Sequence, residues 1–194
     1  MADYVDVRQE LWREEFARAL QYEEYLAASD QAHASKWRAL EDKISIPDDR
    51  VDEIRGFSRR MNVLVYSGVW CGDCVRQGPI LAEIARNSDR IDLRFRERED
   101  ECRLGEELRM NGAWRVPVAV FLSEDFFEVG RFGDRTLSVY RRMARDWLGP
   151  SCSTGLIPPP ASELETEAQE WADIFERMHI MLRLAPMLRE RYDD

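Results

Sequence analysis

No stretch of this 194-residue chain is apolar for long enough to span a membrane. The opening residues, MADYVDVRQELW, carry neither a basic head nor an apolar core, so a secretory signal is not expected and a cytoplasmic location is. Cysteine is sparse. Four residues do not make a disulfide scaffold, and in a reducing compartment a close pair points to catalysis or metal binding. Histidine is sparser still, with two. A basic patch is also missing: acids outnumber Lys and Arg by 38 to 28, which argues against nucleic acid or an anionic membrane as partner. Neither an internal repeat nor a low-complexity tract is evident.

What is present is a globular composition, 44% hydrophobic, with its charge unevenly spread. Residues 1–50 carry 12 acids and 7 bases, residues 51–149 carry 17 of each, and residues 150–194 carry 9 acids and 4 bases. A neutral centre thus lies between two acidic flanks, which are expected to be solvated faces.

Periodicity divides the chain in the same places. Val5, Trp12, Phe16, Leu20 and the Tyr22/Tyr25/Leu26 group recur at helical spacing. Ser29 and Asp30 can cap a second helix with Trp37, Leu40 and Ile44 on its face, and Ile46-Pro47-Asp48-Asp49 reads as a third start. From residue 61 the period changes. Met61 to Tyr66 predicts a buried strand, the stretch after the CxxC a helix with Ile80, Leu81, Ile84 and Ala85 on one side, Ile91 to Phe95 an alternating strand and 100–111 a helix. Val116 to Leu122 and Phe126 to Phe132 predict a hairpin around Ser123-Glu124-Asp125, followed by a helix with Leu137, Tyr140, Met143, Ala144, Trp147 and Leu148. The order over 48–148 is α-β-α-β-α-β-β-α, which implies a small sheet with helices on both faces.

Four segments follow: an N-terminal helical extension over 1–47, a central domain over 48–149, a Pro-rich connector over 150–161, and a C-terminal helix over 162–194. In the last, Ser162 and Glu165 have capping-box spacing. Leu164, Ala168, Trp171, Phe175, Met178 and Leu182 form a heptad-like stripe. Such a stripe could join two copies as a homodimer through this helix; packing back onto the body is the commoner use.

The chemistry concentrates in VWCGDCVRQGPIL, residues 69–81. Cys71-Gly72-Asp73-Cys74 can be a redox pair, half of a metal site, or two idle neighbours. A zinc site needs two more ligands, and Cys102, Cys152, His33 and His179 lack the paired spacing such sites use. No metal or cofactor is expected. The two histidines are assigned no role, Cys102 reads as a small half-buried hydrophobe and Cys152 as idle in the connector. As a redox pair the motif is well placed. Cys71 follows a strand and opens a helix, where free N–H groups and the helix dipole favour a thiolate. Cys74, one turn on, can resolve the mixed disulfide that Cys71 forms with a substrate, leaving a Cys71–Cys74 disulfide. Arg76 and Arg115 are further candidates to flank the thiolate.

Trp70-Cys71-Gly72-Asp73-Cys74, with Pro79 five residues after the second cysteine, resembles the thioredoxin active site and its helix proline. Arg115-Val116-Pro117 resembles the cis-proline loop of that superfamily, and Phe126 to Gly133 its last hairpin strand. The resemblance covers about residues 48–148 and implies an α/β thioredoxin-like fold, a central mixed sheet with helices on both faces, here with additional N-terminal and C-terminal helices. It implies a disulfide oxidoreductase with Cys71 as nucleophile, Cys74 as resolving thiol, Trp70 shielding the pair, Pro117 in cis and Val116 contacting an extended substrate. The partners implied are disulfide-containing substrates and an electron donor. Three departures accompany it. Asp73 replaces the usual proline and is expected to raise the thiol pKa, as fits a narrowed substrate range. Val65 stands at the position of the family's buried acid, which assists the resolving thiol. The usual first strand is replaced by helices, read as a cap on the open sheet edge. A rival reading is a non-catalytic adaptor that binds a protein partner through its helical flanks.

Overall fold

A strand buried at every residue must be covered on both faces, and Met61–Ser67 (β1) is such a strand. A computed structural model describes residues 4–147 and 161–193; the expected connector up to residue 160, with its Cys152, and the helix end at Leu148 lie outside the described residues. β1 pairs in parallel with β2 (Ile91–Glu97) and antiparallel with β3 (Val118–Leu122), which pairs antiparallel with β4 (Glu128–Gly133). The order β2-β1-β3-β4 is a mixed sheet, and with its flanking helices it is the expected thioredoxin-like fold. Between these strands run α4 (Asp48–Arg55), α5 (Gly72–Arg86), a short α6 (Leu104–Glu107) and α7 (Leu137–Trp147), in the anticipated sequence.

The N-terminal flank folds as α1 (Gln9–Arg18), α2 (Tyr22–Ala28) and α3 (Gln31–Glu41). The continuous apolar period over 5–26 suggested one helix there; it breaks at Leu20. Leu20 donates its N–H to the Phe95 carbonyl at 2.9 Å and accepts the Phe95 N–H at 2.7 Å. Pairing the open edge of β2 outweighs one more helical turn, because a strand edge under covering helices would otherwise hold unpaired backbone groups. This one bridge stands where an edge strand would, and α1 and α2 pack on β2 around it. Asp30 caps α3 as expected, accepting the Ala32 and His33 N–H groups.

Aromatic packing fixes the flank to the sheet. Tyr22, Tyr25 and Trp37 meet Phe95 with ring centroids 5.7, 5.3 and 5.9 Å apart. Pairs of this kind add about 0.5–1.5 kcal/mol each beyond simple burial. Trp37 also lies on α5 at Gly78, where any Cβ would overlap its ring. The flank is therefore part of the core.

Other boundaries differ for local reasons. The helix expected over 100–111 shrinks to Leu104–Glu107. Side chains take the preceding backbone groups: Arg96 donates to the Glu101 carbonyl at 3.1 Å, and the Arg103 N–H donates to Glu15 at 3.2 Å. β4 begins at Glu128 instead of Phe126, because the Ser123 hydroxyl accepts the Asp125 and Phe127 N–H groups and Phe126, at φ 66°, turns onto Phe16. At the start of α7 Val139 is buried while Leu137 and Tyr140, two positions of the expected face, are exposed; Met143 is half-buried.

The C-terminal segment is two helices, α8 (Ala161–Leu184) and α9 (Pro186–Tyr192). Pro186 has no N–H to continue α8 and suits the first turn of α9. Ser162 falls inside α8's first turn, so it is not the N-cap. The six-residue stripe is buried against the chain's own α4, α5, α7 and β4, with Phe175 on Phe121 and Trp171 on Phe132. His179, given no role from sequence, stacks on Phe57 at 4.0 Å and accepts the Ser58 and Arg59 N–H groups through Nε2. Among the described residues, no helix is long and apolar enough to cross a membrane.

Candidate active site at the start of α5

β1 ends at Ser67, and Gly68 to Trp70 turn the chain into α5. The turn is closed by the Cys71 N–H donating to the Gly68 carbonyl at 2.9 Å. Cys71 is the N-cap of α5, in extended conformation, and its carbonyl accepts the Val75 N–H. The turn is held from outside by the N-terminal flank: Trp37 Nε1 donates to the Val69 carbonyl at 2.9 Å. The Val69 N–H in turn donates to Glu97 at 3.0 Å.

The two thiols occupy unlike environments. Cys71 is half-buried and Cys74 has no exposed surface. The Cys74 side chain hydrogen-bonds Cys71 and is the main reason its pKa falls to about 7; the Cys74 and Asp73 N–H groups add to this. Partial burial and the Asp73 charge oppose it, the latter as the sequence suggested. Burial pushes the Cys74 thiol well up, and the neighbouring Cys71 adds to the rise. A pair split this way, one thiol readily ionised and the other held protonated, is suited to sequential attack.

The other expected residues gather here to differing degrees. The Val116–Pro117 peptide is cis, and the Cys71 thiol points at the Val116 carbonyl, 3.7 Å away. Gly133, at the end of β4, lies close on this loop, since a Cβ there would stand 2.7 Å from the Pro117 carbonyl. Pro79 is buried inside α5. Trp70 is 42% exposed, with its ring over Gly68 and the Arg98 guanidinium 5.4 Å from it. Arg76 turns away from the thiols to pair with Glu167 and Glu163 on α8, and Arg115 pairs with Asp134 at 3.7 Å. Val65 is a packed apolar residue of β1.

Four residues at the site had not been singled out. Arg135 pairs with Asp73 at 2.6 Å and offsets the acid beside the thiols. Ser67 is wholly buried beside Cys74, whose sulfur accepts the N–H of the next residue, Gly68, at 3.4 Å, and its hydroxyl lowers the Cys74 pKa against burial. Tyr25 and Glu97 stand behind it, and Tyr25 Oη donates to Glu97 at 2.6 Å. Only Ser67 carried a usable signal, four residues before Cys71 at a strand end. Cys102 is half-buried against the core. Among the described residues, no three His, Cys, Asp or Glu side chains are placed to hold a metal ion.

Comparisons with known proteins agree with this geometry. A family model described as Thioredoxin matches residues 19–147. No curated protein matches the chain in sequence. Among solved structures, a Pseudomonas aeruginosa protein of unknown function is similar, with TM-score 0.68, 17% identity, and 92% of this chain and 97% of that one covered. An HIV epitope scaffold is similar at TM-score 0.66 and 19% identity, with 85% and 97% covered. At these identities the two structures support the fold alone.

Proposed function

This chain belongs to the thioredoxin family, and we propose that it is a thiol–disulfide oxidoreductase that reduces disulfides in a restricted set of protein or small-molecule substrates. The observation that carries the reading is Cys71: a half-buried thiol at a helix N-terminus, with a pKa lowered to about 7, beside a buried second thiol. In the proposed cycle the Cys71 thiolate attacks a substrate disulfide, forms a mixed disulfide and releases one substrate sulfur as thiolate, which takes a proton. Cys74 then attacks Cys71 Sγ, releases the second substrate sulfur and leaves the Cys71–Cys74 disulfide for an electron donor to reduce. Val116 and the cis Pro117 would line an extended substrate segment, whose backbone pairs beside them as an added strand. Gly72 allows the tight turn, Trp70 flanks the pair, Pro79 shapes α5 behind it, and Asp73 contributes selectivity.

The test is capture. Cys74→Ser, which cannot resolve, should accumulate mixed disulfides through Cys71 in cell extract, and Cys71→Ser should accumulate none. If neither variant captures a substrate and the wild-type pair shows no reversible dithiol–disulfide couple, the reading is lost.

A further inference from the structure

Cys74 poses a problem that the proposed cycle leaves open. It has no exposed surface and is held protonated, yet it must lose a proton before it can attack Cys71 Sγ. Bulk water does not reach a fully buried sulfur, and the Gly68 N–H that points at it, at 3.4 Å, can stabilise a thiolate but cannot accept a proton. Beside it stands the Ser67 hydroxyl, on the residue that precedes Gly68. From Ser67 a continuous path leads outward. Tyr25 Oη lies 3.3 Å from Ser67 Oγ and 2.6 Å from Glu97 Oε2. Ser67 and Tyr25 are buried, and Glu97, at the end of β2, is half-buried at the rim.

We propose that Ser67, Tyr25 and Glu97 form a proton relay that deprotonates Cys74 during resolution of the mixed disulfide, with Tyr25 supplied by the N-terminal helical flank. This rests on the disulfide-exchange reading above. The Cys74 thiol gives its proton to Ser67 Oγ, Ser67 passes its own to Tyr25 Oη, and the Tyr25 phenol passes its own to the Glu97 carboxylate. The Cys74 thiolate forms the S–S bond to Cys71 as the bond to the substrate sulfur breaks. That sulfur leaves with the electron pair and is protonated by water, and Glu97 returns its proton to solvent. No outside oxidant or reductant enters the step. In this relay Ser67 is the member beside the resolving sulfur, and Tyr25 and Glu97 act through it as positioning residues.

The arrangement has a built quality. Glu97 is fixed by the Val69 N–H on the active-site turn as well as by Tyr25, so one carboxylate joins the turn to the relay. Tyr25 is fixed by its stacked ring on Phe95, 5.3 Å away, and by its edge contact with Trp37. Among the described residues, the titratable and charged groups around the path include Cys71 and Asp73 on α5, Tyr66 on β1, Arg98 and Glu99 just after β2, Cys102, and Tyr25 and Glu97 themselves. The N-terminal helices therefore do more than close the sheet edge.

The experiment uses the full chain with Cys102→Ser and Cys152→Ser, so that only the pair reacts, and dithionitrobenzoate as the disulfide. Attack by Cys71 releases one coloured thiolate; resolution by Cys74 releases a second. With Tyr25→Phe or Ser67→Ala the first phase should be unchanged and the second about tenfold or more slower near neutral pH. Its rate should then climb about tenfold per pH unit, as for a thiol that loses its proton to hydroxide. Glu97→Gln, which keeps an acceptor for the Val69 N–H, should behave alike. A merely structural role would slow both phases or lower Tm without altering the pH profile of the second. An unchanged rate and pH profile of the second phase in Tyr25→Phe and Ser67→Ala overturns the relay and leaves the exchange chemistry standing. A parent protein that releases no second thiolate overturns the exchange reading, and the relay with it.

Discussion

Cys74→Ala isolates the largest contribution to the reactivity of Cys71. The Cys74 side chain is the first cause of the lowered pKa, ahead of the two backbone N–H groups, and the Asp73 charge opposes both. Alanine removes that donor, keeps the backbone of α5 and fills most of the space. What remains is the N-terminal dipole and the N–H groups against partial burial and an acid, so the pKa should rise by about one unit from its value near 7. At pH 7 the thiolate fraction would drop from about a half to about a tenth, and alkylation of Cys71 would slow about fivefold. Cys74→Ser offers a hydroxyl donor in the same place and should stay near the parent. The measurement is the rate of iodoacetamide labelling of the Cys71 peptide against pH, read by mass spectrometry so that Cys102 and Cys152 do not contribute. If the alanine variant keeps the parent midpoint, the partner thiol is not what activates Cys71, and the helix terminus alone would have to account for it.

Two further outcomes follow from the packing. Gly78→Ala gains about 1 kcal/mol of helix preference, but its Cβ would overlap Trp37, which is fully buried. Overpacking there should cost about 3 kcal/mol and outweigh the gain. Because Trp37→Ala is itself costly, the check is non-additivity: Gly78→Ala should lower Tm in the parent and have little or no effect in a Trp37→Ala background; a Gly78→Ala protein as stable as the parent would refute the close approach. His179 is held neutral, its pKa lowered to about 4 by burial first and then by Arg183 and Arg59. Because the unfolded chain binds a proton to this residue more readily, its contribution is complete above about pH 6.5 and is lost as pH falls towards 4, at about 1.4 kcal/mol per unit. His179→Gln should flatten that part of the denaturation midpoint against pH, and an unaltered slope would remove His179 as the cause.

The sheet was readable because its strands carry period and composition locally. Val63, Leu64 and Val65 sit in a continuous apolar run, and Ile91, Leu93 and Phe95 alternate with polar residues. The errors lie where a distant partner decided the backbone. Leu20 belongs to a helical period on its own, and only Phe95, 75 residues away, makes it extended. The segment after β2 looks helical until Arg96 and Glu15 take its backbone groups. Phe126 fits a strand by type, yet Ser123 and Phe16 place it in a turn.

The same division runs through the site. Cys71, Cys74, Pro79 and Val116-Pro117 are legible because they are short motifs at set spacings. The surroundings of Cys74 are not. A residue that completes a buried polar path need only reach the right point in space, and Tyr25 does so from a helix 49 residues away in sequence. Within that helix Tyr25 is one apolar position of a periodic face, indistinguishable from Tyr22. Yet Tyr22 donates to Glu41 on the neighbouring helix, while Tyr25 faces Ser67 and Glu97. Positions three apart share a face, and both rings lie on Phe95 and Trp37; the offset of about 60° and one step along the axis is enough to send the two hydroxyls to different acceptors. The absence of an acid at Val65 is therefore an incomplete guide to the chemistry of Cys74, because a base can enter from another element once the sheet edge is covered by helices. The flank that replaced an edge strand is also what brings a phenol within reach of the buried thiol's neighbour.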